Sequence, residues 1–301
     1  MIIRDAPKPW ELLFILRGSI VPAIRIQLLA VIALASLVTT LTYLGILSFR
    51  SISPLPFSLI GIALSIFSGF RNSASYERWW EARKILGQHV VEARSVAREA
   101  LAYLGPGQGK RLVELMLVFT MALKSHLRGE EISEETLAYA KACGVKFPAG
   151  QNVPEFVLRL MSEELASKLK ANKISPQMVQ VLEERIVSMS GVLAAAERIR
   201  FTPLPFAYSL LLHRTAYLFC ILLPFGLVEA CELWTPLVTG ILAYTFFGLD
   251  ALGDQLAAPF GREPNCMPLD SITRTIEISL LHGLGRKDVP EPILAENFTL
   301  S

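Results

Sequence analysis

From about Ile24 to Leu47 the chain carries no charge after Arg25, and nothing else constrains its fold as tightly. About 20 apolar residues in a helix are what a hydrocarbon layer of roughly 30 Å demands. Three further apolar runs follow, at about 55–70, 205–228 and 233–260. The second is short and contains Gly61, Ser65, Ser68 and Gly69, yet Ser51, Pro54 and Pro56 supply the tight turn that a hairpin of two spans needs. Composition agrees: 52% of residues are hydrophobic, 19% are charged and the mean hydropathy is +0.45, which excludes a disordered chain. Twenty-nine Lys and Arg against 27 Asp and Glu leave a net charge of +2, too small for a nucleic-acid partner.

The N-terminus opens with Arg4, Asp5, Lys8 and Glu11, and the first apolar run lies too far in and is too long for a secretory signal, so it stays as a span. Arg4, Lys8, Arg17 and Arg25 precede the first span, and Arg71, Arg78, Arg83 and Lys84 follow the second. The turn between those spans holds only Arg50, and the turn between the third and fourth holds Glu229 and Glu232. Positive residues stay on the cytoplasmic side, so both termini and the long middle region are expected there, in the cell's plasma membrane.

That middle region reads as helical. Tyr76 to Leu104 lacks proline, a break follows at Gly105 to Gly109, and Lys110 to Leu127 places Leu112, Leu115, Met116 and Phe119 at helix spacing. Gly129 ends this stretch and Ser133 starts another, while Pro154 and Pro176 open helices reaching about Lys170 and Ile199. The expectation is an all-α membrane protein with four transmembrane helices per subunit. It divides into 1–70 (N-terminal segment and hairpin), 71–202 (cytoplasmic helices), 203–260 (second hairpin) and 261–301 (cytoplasmic C-terminal segment).

Enzymatic chemistry finds no foothold. Gly105-Pro-Gly-Gln-Gly-Lys-Arg lacks the spacing and the hydroxyl of a nucleotide-binding loop. His89, His126, His213 and His282 never pair at i, i+4 around a carboxylate, and no Gly-x-Ser-x-Gly elbow occurs. Cys143, Cys220, Cys231 and Cys266 are far apart and read as packing residues. No cofactor and no metal are expected. Charges inside spans are more informative, since each costs on the order of 2.5–3.5 kcal/mol at a helix centre. The third span holds His213 and Arg214, the fourth Asp250 and Asp254. Arg214 facing Asp250 or Asp254 makes either a buried structural pair or part of an ion path.

In the second span Ile62, Ile66 and Phe70 recur every four residues and stack along one stripe, with Gly61, Ser65 and Gly69 one position earlier. The small stripe lets copies of this helix approach closely, and the bulky stripe then faces a shared axis. Equally, the bulky stripe can face lipid or core. Directly after it stands Phe70-Arg-Asn-Ser-Ala-Ser-Tyr-Glu-Arg-Trp-Trp-Glu-Ala-Arg, and the fourth span ends in Asp254-Gln-Leu-Ala-Ala-Pro-Phe-Gly, followed by Pro268-Leu-Asp and an Ile-Glu-containing helix. With Pro203-Leu-Pro-Phe opening the third span between them, these motifs resemble the prokaryotic branch of the bestrophin channels over most of the chain.

The resemblance implies a homopentamer in a bacterial inner membrane, with one central pore whose hydrophobic neck is lined by Ile62, Ile66 and Phe70. Those three residues span roughly 12 Å of helix. Rings of apolar side chains cannot replace an ion's water, so gating by dewetting follows. Animal members carry an acidic calcium-binding run after Pro-Phe-Gly, whereas this chain continues Arg262-Glu-Pro-Asn-Cys-Met-Pro, so calcium gating is not expected.

The prokaryotic branch implies monovalent cations such as sodium or potassium, and the animal members imply chloride. Glu77 and Glu81 fall within about 20° of the direction of Phe70 on a continuing helix, where copies would form carboxylate rings. The alternative is that both pair with Arg78, Arg83 or Lys84. A cytoplasmic constriction is expected somewhere in Ile174 to Gln180. An alternating-access transporter using Arg214 and Asp250, or a membrane scaffold, are the competing readings, although no internal symmetry of the transporter kind is visible.

Overall fold

The structure, a computed structural model, describes residues 1–4, 8, 10, 15, 18–49 and 52–301. Asp5, Glu11, Arg17, Arg50 and Ser51, which entered the orientation and turn readings, lie outside the described residues. The described chain is helical in order α1 (Val21–Tyr43), α2 (Leu55–Arg128), α3 (Glu134–Ala142), α4 (Val153–Lys170), α5 (Pro176–Phe201), α6 (Phe206–Cys231), a 3₁₀ turn at Glu232–Trp234, α7 (Thr235–Ala257) and α8 (Leu269–Gly283). Among the described residues, extended pairing is limited to isolated bridges that join Ile2 to Thr299 and Glu296 to Thr299.

Among the described residues three helical stretches are long and apolar enough to cross a membrane: α1, α2, which carries its apolar part first, and the 52-residue run Phe206–Ala257 that holds both α6 and α7. Their starts are set by proline, which tolerates the first helical turn because its missing N–H would be unsatisfied there anyway. Pro22, Pro56 and Pro236 occupy this position in α1, α2 and α7. Pro154 and Pro176 do the same for α4 and α5, each beside a polar cap. Asn152 Oδ1 accepts from the Glu155 N–H, and Ser175 Oγ from the Met178 N–H. Ser133 caps α3 in the same way.

Helix α2 departs from the expected segmentation. No helix end separates Phe70 from Arg71: the apolar span and the charged stretch after it form one continuous rod to Leu104. At Gly105 the backbone turns to φ 76°, ψ 166°, a conformation that glycine adopts without a Cβ penalty. The arm from 106 to 128 then folds back on the first. His89 stacks edge-on against Phe119 at 5.6 Å, and Gly109 lies so close to Ala100 that a Cβ would strike its carbonyl oxygen. Gly129 closes the second arm in the left-handed conformation, with the Glu130 N–H bonded to the Ser125 carbonyl.

Two hydrophobic cores result. The larger one joins both arms of α2 to α4, α5 and α8 through Leu112, Met116, Phe119, Met161, Met189 and Ile276. The membrane one joins α1, α2, α6 and α7 through Val31, Leu64, Phe219, Cys220 and Phe246. All four cysteines are unbridged, and Cys220 and Cys266 are buried packing residues.

Candidate ion-conduction pathway

The first arm of α2 has two faces. Leu64, Arg71 and Ser75 are buried against α6 and α7, whereas Ile62, Ile66 and Phe70 are 59%, 52% and 63% exposed in the protomer. The protomer's own packing therefore uses the opposite side of α2 and leaves the bulky stripe outward. The small stripe does not behave as one unit. Gly61 packs within the same chain, where a Cβ would come 3.2 Å from the Phe219 ring of α6, so its small size serves α2–α6 packing rather than an approach of like helices. The Ser65 hydroxyl donates to the Gly61 carbonyl at 2.8 Å, satisfying itself along the helix, and Gly69 meets open space.

Below the stripe the charged residues arrange themselves differently from the local pairing expected. Glu77 is exposed and makes no ion pair among the described residues. Glu81 is bound by Arg198 of α5, not by Arg78, Arg83 or Lys84. Arg78 is occupied elsewhere: its guanidinium donates to the carbonyls of Ile199, Thr202 (2.7 Å) and Ala257 (3.1 Å), tying the ends of α5 and α7 to α2. Arg83 lies 6.0 Å over the Trp80 ring. Gln88, on the same side as Phe70, donates to Glu92 at 2.6 Å. In the 174–180 stretch Ile174 is buried and Met178 is exposed.

The intramembrane charges form a cluster, but Arg214 is not in it. Arg71 of α2 takes its place, with Nη1 2.6 Å from Asp250 Oδ1 and Nη2 bound to Asp254. His213 Nδ1 sits 2.6 Å from the second oxygen of Asp250. The register of α6 explains the difference: His213 faces α7, and the next residue, a further 100° around the helix, points away, leaving Arg214 exposed. Arg71 was missed because a cation after an apolar run reads as a boundary charge. The available signal was the spacing of Asp250 and Asp254, one turn apart, which makes a two-carboxylate seat for one guanidinium.

A family model described as Bacterial/Fungal Bestrophin protein matches residues 1–282. The chain belongs to the bestrophin family. Among its relatives are voltage-dependent anion channel-forming protein mll4386 of Mesorhizobium japonicum, 38% identical over all of this chain and 97% of the relative, and protein YneE of Escherichia coli K12, described in the same words, 37% identical over 98% of both chains. The crystal structure of a bacterial bestrophin homologue from Klebsiella pneumoniae superposes with a TM-score of 0.78 at 32% identity, covering 87% of this chain and 99% of that one. The outward stripe of this bestrophin is thus carried on a fold shared with a solved member of the family.

Proposed function

We propose that this bestrophin is the subunit of an oligomeric ion channel, a homopentamer by its resemblance to the family, with copies of α2 around a central pore. Ile62, Ile66 and Phe70 form its hydrophobic neck. The observation that carries this reading is that three bulky apolar residues are turned away from the protomer, on a helix that meets its own chain along the opposite strip at Leu64, Arg71 and Ser75. A narrow apolar ring passes ions only while it stays wet, so wetting is the gate. The channel sits in the bacterial inner membrane with both termini cytoplasmic, in line with the basic residues around the span ends.

The ion is monovalent. The names of the relatives favour an anion, which reverses the lean of the sequence motifs, and Lys84 supports the anion reading because it is exposed and lies within about 40° of the direction of Phe70 along α2. The second reading, sodium or potassium, is favoured by the exposed Glu77 on the same side. Glu81 contributes less to it, because Arg198 compensates its charge.

Purified protein in planar bilayers under a potassium chloride gradient decides. Unitary currents are expected, and the sign of their reversal potential assigns the ion. For an anion pathway Lys84→Gln moves the reversal potential towards zero and Glu77→Gln does not; for a cation pathway the roles exchange. Slow saturable flux without unitary currents would refute the channel.

A further inference from the structure

The residue after Phe70 is Arg71, which is only 3% exposed at the lower end of the apolar stripe. One fork spans two carboxylates a turn apart on α7. Nη1 meets Asp250 Oδ1 at 2.6 Å and the Asp250 carbonyl at 3.3 Å, while Nη2 meets Asp254. Asp250 in turn holds His213 of α6 through its other oxygen at 2.6 Å. Three membrane helices thus converge on one ionic group. Gly253, between the two aspartates, leaves room for it: a Cβ there would press on Asn72 Oδ1 and come 3.4 Å from Arg71 Nη1.

Apolar contacts such as Leu64 on α6 and α7 are non-directional and tolerate rotation of α2 about its axis. A planar fork held at two points is not tolerant of rotation. Arg71 stands about 100° around the helix from Phe70 and about 180° from Ile62, so fixing its direction fixes theirs.

We propose that Arg71, clamped by Asp250 and Asp254 with His213 behind Asp250, is the positioning residue of the neck, setting the azimuth of α2 and through it the wetting of the ring at Phe70. The proposal rests on the channel reading for its consequence but not for its geometry. Hydrogen exchange on the detergent-solubilised full chain therefore accompanies single-channel recording.

In Arg71→Gln, exchange of the α2 amides around residues 62–72 rises, and open probability changes by on the order of tenfold, with the reversal potential unaltered. Arg71→Lys gives an intermediate shift, because an ammonium is a point donor that seats on one carboxylate at a time. Asp250→Asn follows Arg71→Gln. Arg214→Gln, which removes an exposed charge next to His213 without touching the clamp, behaves as wild type. If Arg71→Gln fails to assemble, Arg71→Lys and His213→Ala carry the test. Assembled clamp variants with wild-type exchange and wild-type open probability overturn the proposal. A wild-type protein without currents refutes the channel reading, and the exchange data then decide the clamp alone.

Discussion

His89 is 2% exposed inside the larger core, and neither ring nitrogen has a hydrogen-bond partner among the described residues. Burial holds its pKa down at about 4 against an ordinary 6.5. A histidine that must stay neutral to remain buried costs stability as the unfolded chain, but not the folded one, takes up a proton. The loss begins as pH falls through 6.5 and levels off below 4. Between pH 7 and 5 the expected cost is about 2 kcal/mol, and His89→Leu should flatten that slope in pH-dependent thermal unfolding. At the neck, Ile66→Ser replaces an exposed apolar side chain, so stability should change little, whereas a polar ring wets readily. Open probability in bilayers is expected to rise on the order of tenfold.

The two arms of α2 meet where Gly109 passes the Ala100 carbonyl, and backbone cannot move aside as a flexible side chain can. Gly109→Ala should destabilise by about 1–3 kcal/mol, while Gly107→Ala, which meets open space two residues earlier, should be neutral or slightly stabilising. Thermal unfolding of the pair separates close approach from helix propensity. Helix α8 is docked by Asp270 on Arg128 at 2.7 Å and Lys124 at 3.1 Å. Burial pushes this carboxyl up, but the bonds to Arg128 and Lys124 outweigh it and leave its pKa below the ordinary 3.8. Its contribution is complete above that value and disappears as pH falls through the folded pKa. Asp270→Asn should cost about 1 kcal/mol at neutral pH, given its partial exposure, and remove that acid-side dependence.

Elements whose cause is local were legible in the chain. Pro154 and Pro176 mark helix starts by their own ring geometry, and Gly129 marks an end by its left-handed backbone. The continuity of α2 through Phe70 and Arg71 was not, because a change from apolar to charged residues reports surroundings and leaves the helical hydrogen bonds untouched. Nor was the Arg71 clamp, since a pairing across 179 residues depends on how α2 is rotated against α7. The outward stripe of Ile62, Ile66 and Phe70 was legible as a period, and its direction followed only once Leu64 and Ser75 were seen packed behind it.

For the whole molecule, the segment after Gly261 is tied down by protein groups. Arg262 pairs with Glu130 at 2.7 Å, and the Met267 N–H bonds to the Pro259 carbonyl at 2.7 Å. One carboxylate, Glu263, lies between Arg262 and Met267, short of the six to eight oxygens calcium takes. Currents should be the same in calcium-free and micromolar-calcium solutions, and a large jump between them would contradict this.

Because α2 runs past Phe70 as an uninterrupted rod and is next bent only at Gly105, the proposed gate has no swivel of its own. Any twist applied to the helical body beyond Arg71, by a bound protein or by a neighbouring subunit, meets the hold of Asp250 and Asp254 first and turns the proposed isoleucine ring only by overcoming it, like a key that must pass a detent.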